Sequence, residues 1–432
     1  QGEPQVTSRE GQLRIEGRPA DLVVKGAFAL GEQAQVQLKA QRSAEQIQAQ
    51  LAWTKLTWPL QGLARVVSAQ GRADLSGSVQ AYRYTLEAQL AAEGQQGQAS
   101  AAGTGGLDHV VLETLRLAVA TSEVEGRARI DWKPAFTADA DLRVKNLDPG
   151  LVAPDWPGRL NGALKARTQW IQGQPRVQFE VALQNSRLRS YPLALQAAGK
   201  AEGKTVNLDR LQLTSGRTQL QAQGQVTPPF DVSAKLESPD LAALWPGLSG
   251  NATLDVQLRG SLAAPHLIAR GSANQLTYQT VSIEQLRLQA DLDQAGPWSL
   301  DLQVQTLRGP TTMSSARLQV DGQASAHRLR LNVDADPATA ELLAQGRYDV
   351  QARRWSGEVA SGTLTPRGLA TWTLEEPAAL RVEAREQQLE PACWRALESR
   401  ICAQLTREAG RMRRLVDGLL DVDVQRNGRL VL

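Results

Sequence analysis

Alternation with a period of two residues runs through most of this chain, and it leaves few folds open. Side chains of an extended strand point to opposite faces in turn, so Gln219-Leu220-Gln221-Ala222-Gln223-Gly224-Gln225-Val226 has one polar face and one apolar face. The pattern recurs at Leu286, Leu288, Ala290 and Leu292, at Leu300, Leu302 and Val304, and at Leu329, Leu331 and Val333. Helical spacing is rare before residue 390, and Gly, Pro, Asp and Asn separate the extended runs. The chain therefore reads as all-β.

Internal repetition adds a longer period. Trp-Pro pairs at Trp58-Pro59, Trp156-Pro157 and Trp245-Pro246 are each followed by a Leu-x-Gly, at Leu60-Gln61-Gly62, Leu160-Asn161-Gly162 and Leu248-Ser249-Gly250. An aliphatic-x-x-Leu-x-Leu element recurs at Leu112/Leu115/Leu117, Leu208/Leu211/Leu213 and Ile283/Leu286/Leu288, its third copy early by about one strand and its turn. Pro134-x-Phe136 returns as Pro228-x-Phe230. These markers define a repeat of about 90–100 residues. Proline is tolerated at strand ends and edges, so the Trp-Pro pairs read as turn devices at repeat boundaries.

Strands that are apolar on one side need a cover for that side, and there are three ways to supply it: a second sheet, closure into a solenoid, or a trough filled by something else. The first two favour large interlocking side chains. Here aromatics are 4% of the chain, with four Phe and two Met, and the inward positions are mostly Leu, Val and Ala. The expectation is a long, repetitive, curved β-sheet forming an incompletely closed trough with an apolar interior. Its candidate lining is Leu220, Ala222, Leu286, Leu288, Leu292, Leu300, Leu302, Val304, Leu329, Leu331 and Val333. Trp132, Trp170, Trp298, Trp355 and Trp372 could line such a trough or plug it. If roughly 25–30 strands stack at about 4.8 Å, they reach on the order of 120–140 Å.

The repetitive β-region is placed at residues 1–390, followed by a Cys-containing segment at 391–403. Leu405, Ala409, Met412, Leu415, Val416, Leu419 and Leu420 fall at spacings of three and four, which predicts an amphipathic helix over 404–420, with terminal strand over 421–432.

Several classes of function find no support. The 48 basic and 45 acidic residues are interspersed, so no basic field for nucleic acid is present. The cluster Arg411, Arg413 and Arg414 reads as a solvated helix face. No run of about 18 apolar residues could span a bilayer as a helix. The start at Gln1 reads as a processed or truncated end. Carboxylate pairs at Asp139/Asp141, Asp291/Asp293, Asp334/Asp336 and Asp421/Asp423 share a strand face as an acid/base pair would, but their alternating neighbours are apolar, which places them on the solvated side. No nucleophile elbow, phosphate loop or metal-ligand spacing occurs, and no catalytic residue, metal or cofactor is expected. His109, His266 and His327 are distant in sequence from Cys393 and Cys402. A local disulfide between these cysteines, in an oxidising compartment, is the expectation, with two free thiols as the alternative.

Some segments also resemble a known family. Leu51-Ala52-Trp53 through Thr57-Trp58-Pro59-Leu60, Leu244-Trp245-Pro246 with Leu248-Ser249-Gly250, and Leu258-Arg259-Gly260-Ser261-Leu262-Ala263-Ala264-Pro265 are similar to the central part of the TamB family, in the AsmA-like superfamily of intermembrane lipid-transport proteins. Cys393-Trp394 and Ile401-Cys402 match a pair of segments near the end of that part, and residues 404–432 do not look like its continuation. The resemblance implies a bacterial periplasmic protein, anchored in the inner membrane by an N-terminal helix missing here, whose apolar groove conducts phospholipid acyl chains. It also implies an Omp85-type outer-membrane barrel as partner, through regions not in this chain, and a role in outer-membrane biogenesis. Two alternatives stay open: a scaffold that binds outer-membrane proteins by strand augmentation, and a closed β-solenoid adhesin. The adhesin fits less well, since such chains stack Asn, Thr, Ser or Gly in repeats of about 20–30 residues.

Overall fold

The structure, a computed structural model, describes residues 8–30, 34–58, 66–92, 95–151, 153–310, 312–350, 352–383, 386–396 and 399–408. Among these are 28 β-strands and two short 3-10 turns, Pro149–Leu151 and Leu241–Ala243. No helix among them is long and apolar enough to cross a membrane. The chain divides into two units, Gln1–Ser215 and Gly216–Leu432.

The first unit contains β1 (Ser8–Arg18), β2 (Asp21–Leu30), β3 (Ala34–Ser43), β4 (Gln46–Trp58), β5 (Val66–Gly77), β6 (Tyr82–Ala92) and β7 (Gln95–Gly105). It continues with β8 (His109–Val119), β9 (Ser122–Asp131), β10 (Thr137–Leu147), β11 (Gly158–Ile171), β12 (Gln174–Leu188), β13 (Tyr191–Glu202) and β14 (Thr205–Ser215). Each strand pairs antiparallel with the next. Among the described residues β1 pairs only with β2 and not with β14, so the sheet of this unit is open.

The second unit repeats this meander with β15 (Thr218–Gln225), β16 (Phe230–Ser238), β17 (Leu248–Gly260), β18 (Pro265–Tyr278), β19 (Val281–Asp293), β20 (Pro297–Arg308) and β21 (Met313–Gln323). Then come β22 (Ala326–Ala335), β23 (Ala338–Asp349), β24 (Arg354–Pro366), β25 (Trp372–Leu374), β26 (Ala378–Val382), β27 (Glu386–Ala396) and β28 (Ser399–Glu408). Both β25 and β26 pair with β24 on one side and β27 on the other, so they are two halves of one strand position broken at Glu375-Glu376-Pro377.

The period in the sequence is six strands long. Trp58 ends β4, Trp156-Pro157 precede β11 and Trp245-Pro246 precede β17, so the pairs mark the junctions β4/β5, β10/β11 and β16/β17. The two 3-10 turns sit in the second and third of these junctions. The third Leu-x-Leu copy lies in β19, one strand short of β20, which accounts for its early arrival.

Toward the rim carrying these junctions, non-glycine residues adopt left-handed backbone at Lys55, Asn146 and Asn185 in the first unit and at Gln275 and Thr306 in the second, with φ between 49° and 51°. An extra residue of this kind bends its strand and steepens the local twist. It also leaves backbone groups out of the ladder, and buried hydroxyls satisfy them. Ser122 Oγ donates to the Asn146 carbonyl at 3.0 Å and Ser186 Oγ to the Asn161 carbonyl at 3.0 Å. At the third junction, where no non-glycine residue is left-handed, Thr218 Oγ1 donates at 2.9 Å to the carbonyl of Asp240, which caps the turn Leu241–Ala243.

Residues 404–408 belong to β28 rather than to the expected helix, and Leu405 stands opposite Leu389 of β27. The cross-strand partner overrides the spacing of three and four. Residues 409–432, and with them the rest of that helix, the terminal strand and the Asp421/Asp423 pair, lie outside the described residues.

In the same hairpin Cys393 stands directly opposite Cys402. The Cys393 carbonyl accepts from the Glu375 N–H at 2.9 Å, on the β25 side. Its backbone groups therefore point away from β28, which makes Cys393/Cys402 a non-hydrogen-bonded pair, the kind with Cα atoms about 4.5 Å apart and within disulfide range. No cysteine among the described residues is free. The unreduced protein should accordingly weigh two hydrogens less than the reduced one, and thiol alkylation before and after reduction measures this. Full alkylation without reductant would show that the bridge is not made.

Candidate functional site

The register of the strands turns the alternation of single segments into rows. In the second unit Leu220 stands opposite Leu236, which stands opposite Leu254, and the row continues through Gly271, Leu288, Leu302, Leu318, Leu331 and Leu342 to Gly362. The next row runs Ala222, Ala234, Val256, Ala269, Ala290, Leu300, Val320, Leu329, Ala344 and Val359. Leu286, Val304 and Val333 fall in a third row, and Leu292 stands opposite Trp298 in a fourth. All eleven candidate lining residues therefore lie on one face. The first unit carries an equivalent row from Leu13 through Gly26, Leu38, Leu51, Ala73, Leu86, Ala101 and Leu115 to Leu142, Leu164 and Leu211.

Among the described residues no second layer lies on this face: within each unit the strands pack against their neighbours in the sheet. All eleven candidates are half-buried, whereas the buried apolar side chains of these rows are small or β-branched, such as Ala269, Ala273, Ala290 and Val320. Covering the exposed half of one leucine would be worth about 1 kcal/mol, so an occupant that follows a row gains several kcal/mol.

The opposite face is charged in alternating signs. Arg127, Asp141, Lys165 and Glu180 stand in one row across β9 to β12. Arg127 reaches Asp141 at 3.2 Å and Arg167 reaches Asp139 at 2.7 Å. Opposite charges in register stabilise the pairing and disfavour a slip. In the second unit the Arg317 guanidinium, 2.6 Å away, holds the Asp301 carboxyl below its ordinary range. Several of the paired carboxylates have polar partners of their own: Asp291 lies 2.8 Å from His266 Nε2, Asp334 and Asp336 face Arg367, and Asp293 accepts from the Ala295 N–H. Among the described residues no three metal-ligating side chains gather.

Aromatic residues concentrate at the rim opposite the Trp-Pro junctions. In the second unit Trp298 stacks on His327 with centroids 4.9 Å apart, Tyr348 lies 6.0 Å from Trp298, and Trp355 Nε1 donates to His327 Nε2 at 2.7 Å. His327 is 4% exposed, and its Nδ1 is 2.9 Å from the Gln323 carbonyl. A ring with its proton on Nδ1 satisfies both contacts. In the first unit Phe136 and Trp170 meet edge to face at 5.6 Å, and Trp132 donates to the Leu107 carbonyl. Of the five tryptophans weighed as lining or plug, Trp298 and Trp355 thus edge the apolar face, and Trp132 and Trp170 stand exposed at the rim. Trp372 opens β25 opposite Leu364. No local pattern marks the His327 cluster, because its members come from four strands.

An open antiparallel sheet, charged on one face and apolar but uncovered on the other, defines an apolar-groove protein. The family model described as "TamB, N-terminal domain" matches residues 3–419, and the chain belongs to the TamB family. The match is to the N-terminal domain rather than the central part, and it continues beyond residue 403, where the sequence motifs suggest a departure. The chain is similar to the translocation and assembly module subunit TamB of Haemophilus influenzae, at 22% identity over 298 residues, 67% of this chain and 23% of that protein. It thus spans about a quarter of the length that the relative has.

Proposed function

We propose that this chain is a non-enzymatic section of a periplasmic bridge, whose apolar groove conducts phospholipids between the inner and outer bacterial membranes and so supports outer-membrane biogenesis. The observation that supports this most is the row of half-buried leucines, broken by Gly271, on an uncovered face of the second unit. A phospholipid crossing water exposes its acyl chains at about 0.8 kcal/mol per CH₂, well over ten kcal/mol in all. A groove lowers that barrier with no bond made or broken, and the polar face keeps the section soluble. In this reading an Omp85-type outer-membrane barrel is the partner, as the family resemblance implies, and no cofactor takes part.

Photo-crosslinking residues placed at Leu288 and Leu302 in cells, followed by mass spectrometry of the purified protein, test the proposal. Phospholipid adducts are expected at these two positions and not at Gln289 on the opposite face. Protein adducts alone would favour a scaffold that holds outer-membrane proteins, and the conduit would be abandoned.

A further inference from the structure

Several large rings on the apolar face of each unit lie flat against the sheet, and each lies over a glycine. Trp53 is directly opposite Gly71 in the β4/β5 register. A Cβ placed on Gly71 would lie 2.1 Å from Trp53 Cζ2 and 2.3 Å from its Cε2, so the indole lies flat over the glycine. Trp53 is only 8% exposed although no second layer covers its face, and its Nε1 donates to Ser68 Oγ at 2.8 Å.

The device recurs. Tyr82 is opposite Gly105, where an added Cβ would come within 2.4 Å of the ring, and Phe179 is opposite Gly199, where the distance is 2.9 Å. In the second unit the Trp355 ring lies over Gly346 and Gly357, with added Cβ atoms 2.5 Å and 2.6 Å from it. An aromatic ring buries more area than any aliphatic side chain and would obstruct a groove if upright. Laid into a glycine slot, it adds apolar area while leaving the bore clear.

We infer that these glycine–aromatic pairs set the free cross-section of the groove, and that Gly71 and Gly105 are specificity-determining residues for the width of the acyl cargo that passes. This rests on the reading of the apolar face as a lipid conduit. Gly71 is the cleanest site, because the nearest atoms an added Cβ would meet all belong to the Trp53 ring. The first obstacle to a side chain at Gly71 is therefore a ring and not the backbone.

The test compares the full chain with Gly71→Val and with Trp53→Ala/Gly71→Val, reading two quantities. Hydroxyl-radical footprinting follows Trp53, which should be protected in the parent and oxidised in Gly71→Val. Phospholipid adducts are read from photo-crosslinkers at Leu38 and Leu86, which flank the ring on β3 and β6. In Gly71→Val they should fall about ten-fold or more on at least one side, as expected for a displaced ring occupying the lumen. In the double variant, which has no ring to lift, they should recover. The inference is overturned if Trp53 stays protected in Gly71→Val, or if it becomes oxidised while adducts are unchanged. Failure of the double variant to recover also counts against it, since a merely misfolded sheet would show that result. Absence of adducts in the parent protein removes the conduit itself, and is read first.

Discussion

Replacing Leu288, Leu302 or Leu331 with Asp is expected to stop lipid passage while the protein still accumulates. The three leucines stand in one row, so a carboxylate at any of them lies on the path of an acyl chain. Moving apolar cargo past an ionised group costs about 3 kcal/mol or more, which is about 100-fold in occupancy. Folding should survive, because these positions are half-buried and open to water. Asp at Gln289 on the charged face should change occupancy less than about two-fold, roughly the scatter expected of a surface substitution. Phospholipid recovered with the purified variants, relative to protein, measures both arms. Equal losses on the two faces would sink the groove reading and leave general destabilisation as the account.

His327→Ala should produce the largest loss of stability among single substitutions at the aromatic rim. It removes the acceptor for Trp355 Nε1 and the ring on which Trp298 stacks, at a position 4% exposed. An unsatisfied buried donor plus the space vacated by the imidazole comes to about 3 kcal/mol. Thermal unfolding followed by tryptophan fluorescence should show a lower midpoint and a red-shifted native spectrum. His327→Gln, which can still accept a hydrogen bond, should recover part of the difference. A midpoint unchanged in His327→Ala would mean that the cluster contributes little to holding the rim.

Much of this architecture is legible in the amino-acid sequence, because it is written in local pattern. The period of two at Leu286, Leu288, Ala290 and Leu292 says both that the segment is a strand and which side is apolar. The rows are not legible in this way. That Leu288 stands between Gly271 and Leu302 depends on the registers set by two turns and on the left-handed residue Thr306, whose residue type does not announce such a conformation. The roles of the buried hydroxyls of Ser122 and Ser186 are hidden for the same reason, since their partners lie on neighbouring strands. The expectation of a helix from residue 404 fails where two periods overlap. Ile401, Ala403 and Leu405 alternate as a strand does, and pairing with β27 decides between the readings. The glycine–aromatic pairs are equally silent in sequence. Glycine reads there as punctuation between strands, whereas Gly71 and Gly105 lie inside strands or at their very ends as seats for a ring.

The meander has a consequence for how such a chain is made. Within each unit nearly every strand pairs only with the strands before and after it in sequence, so contacts are short-range although the protein is all-β. All-β domains usually fold slowly because distant segments must find one another. Here a strand needs only its predecessor as a template, and each hairpin completed exposes the edge on which the next can form. Growth of this kind can keep pace with a chain delivered from one end, and it commits no segment to a partner that has yet to arrive.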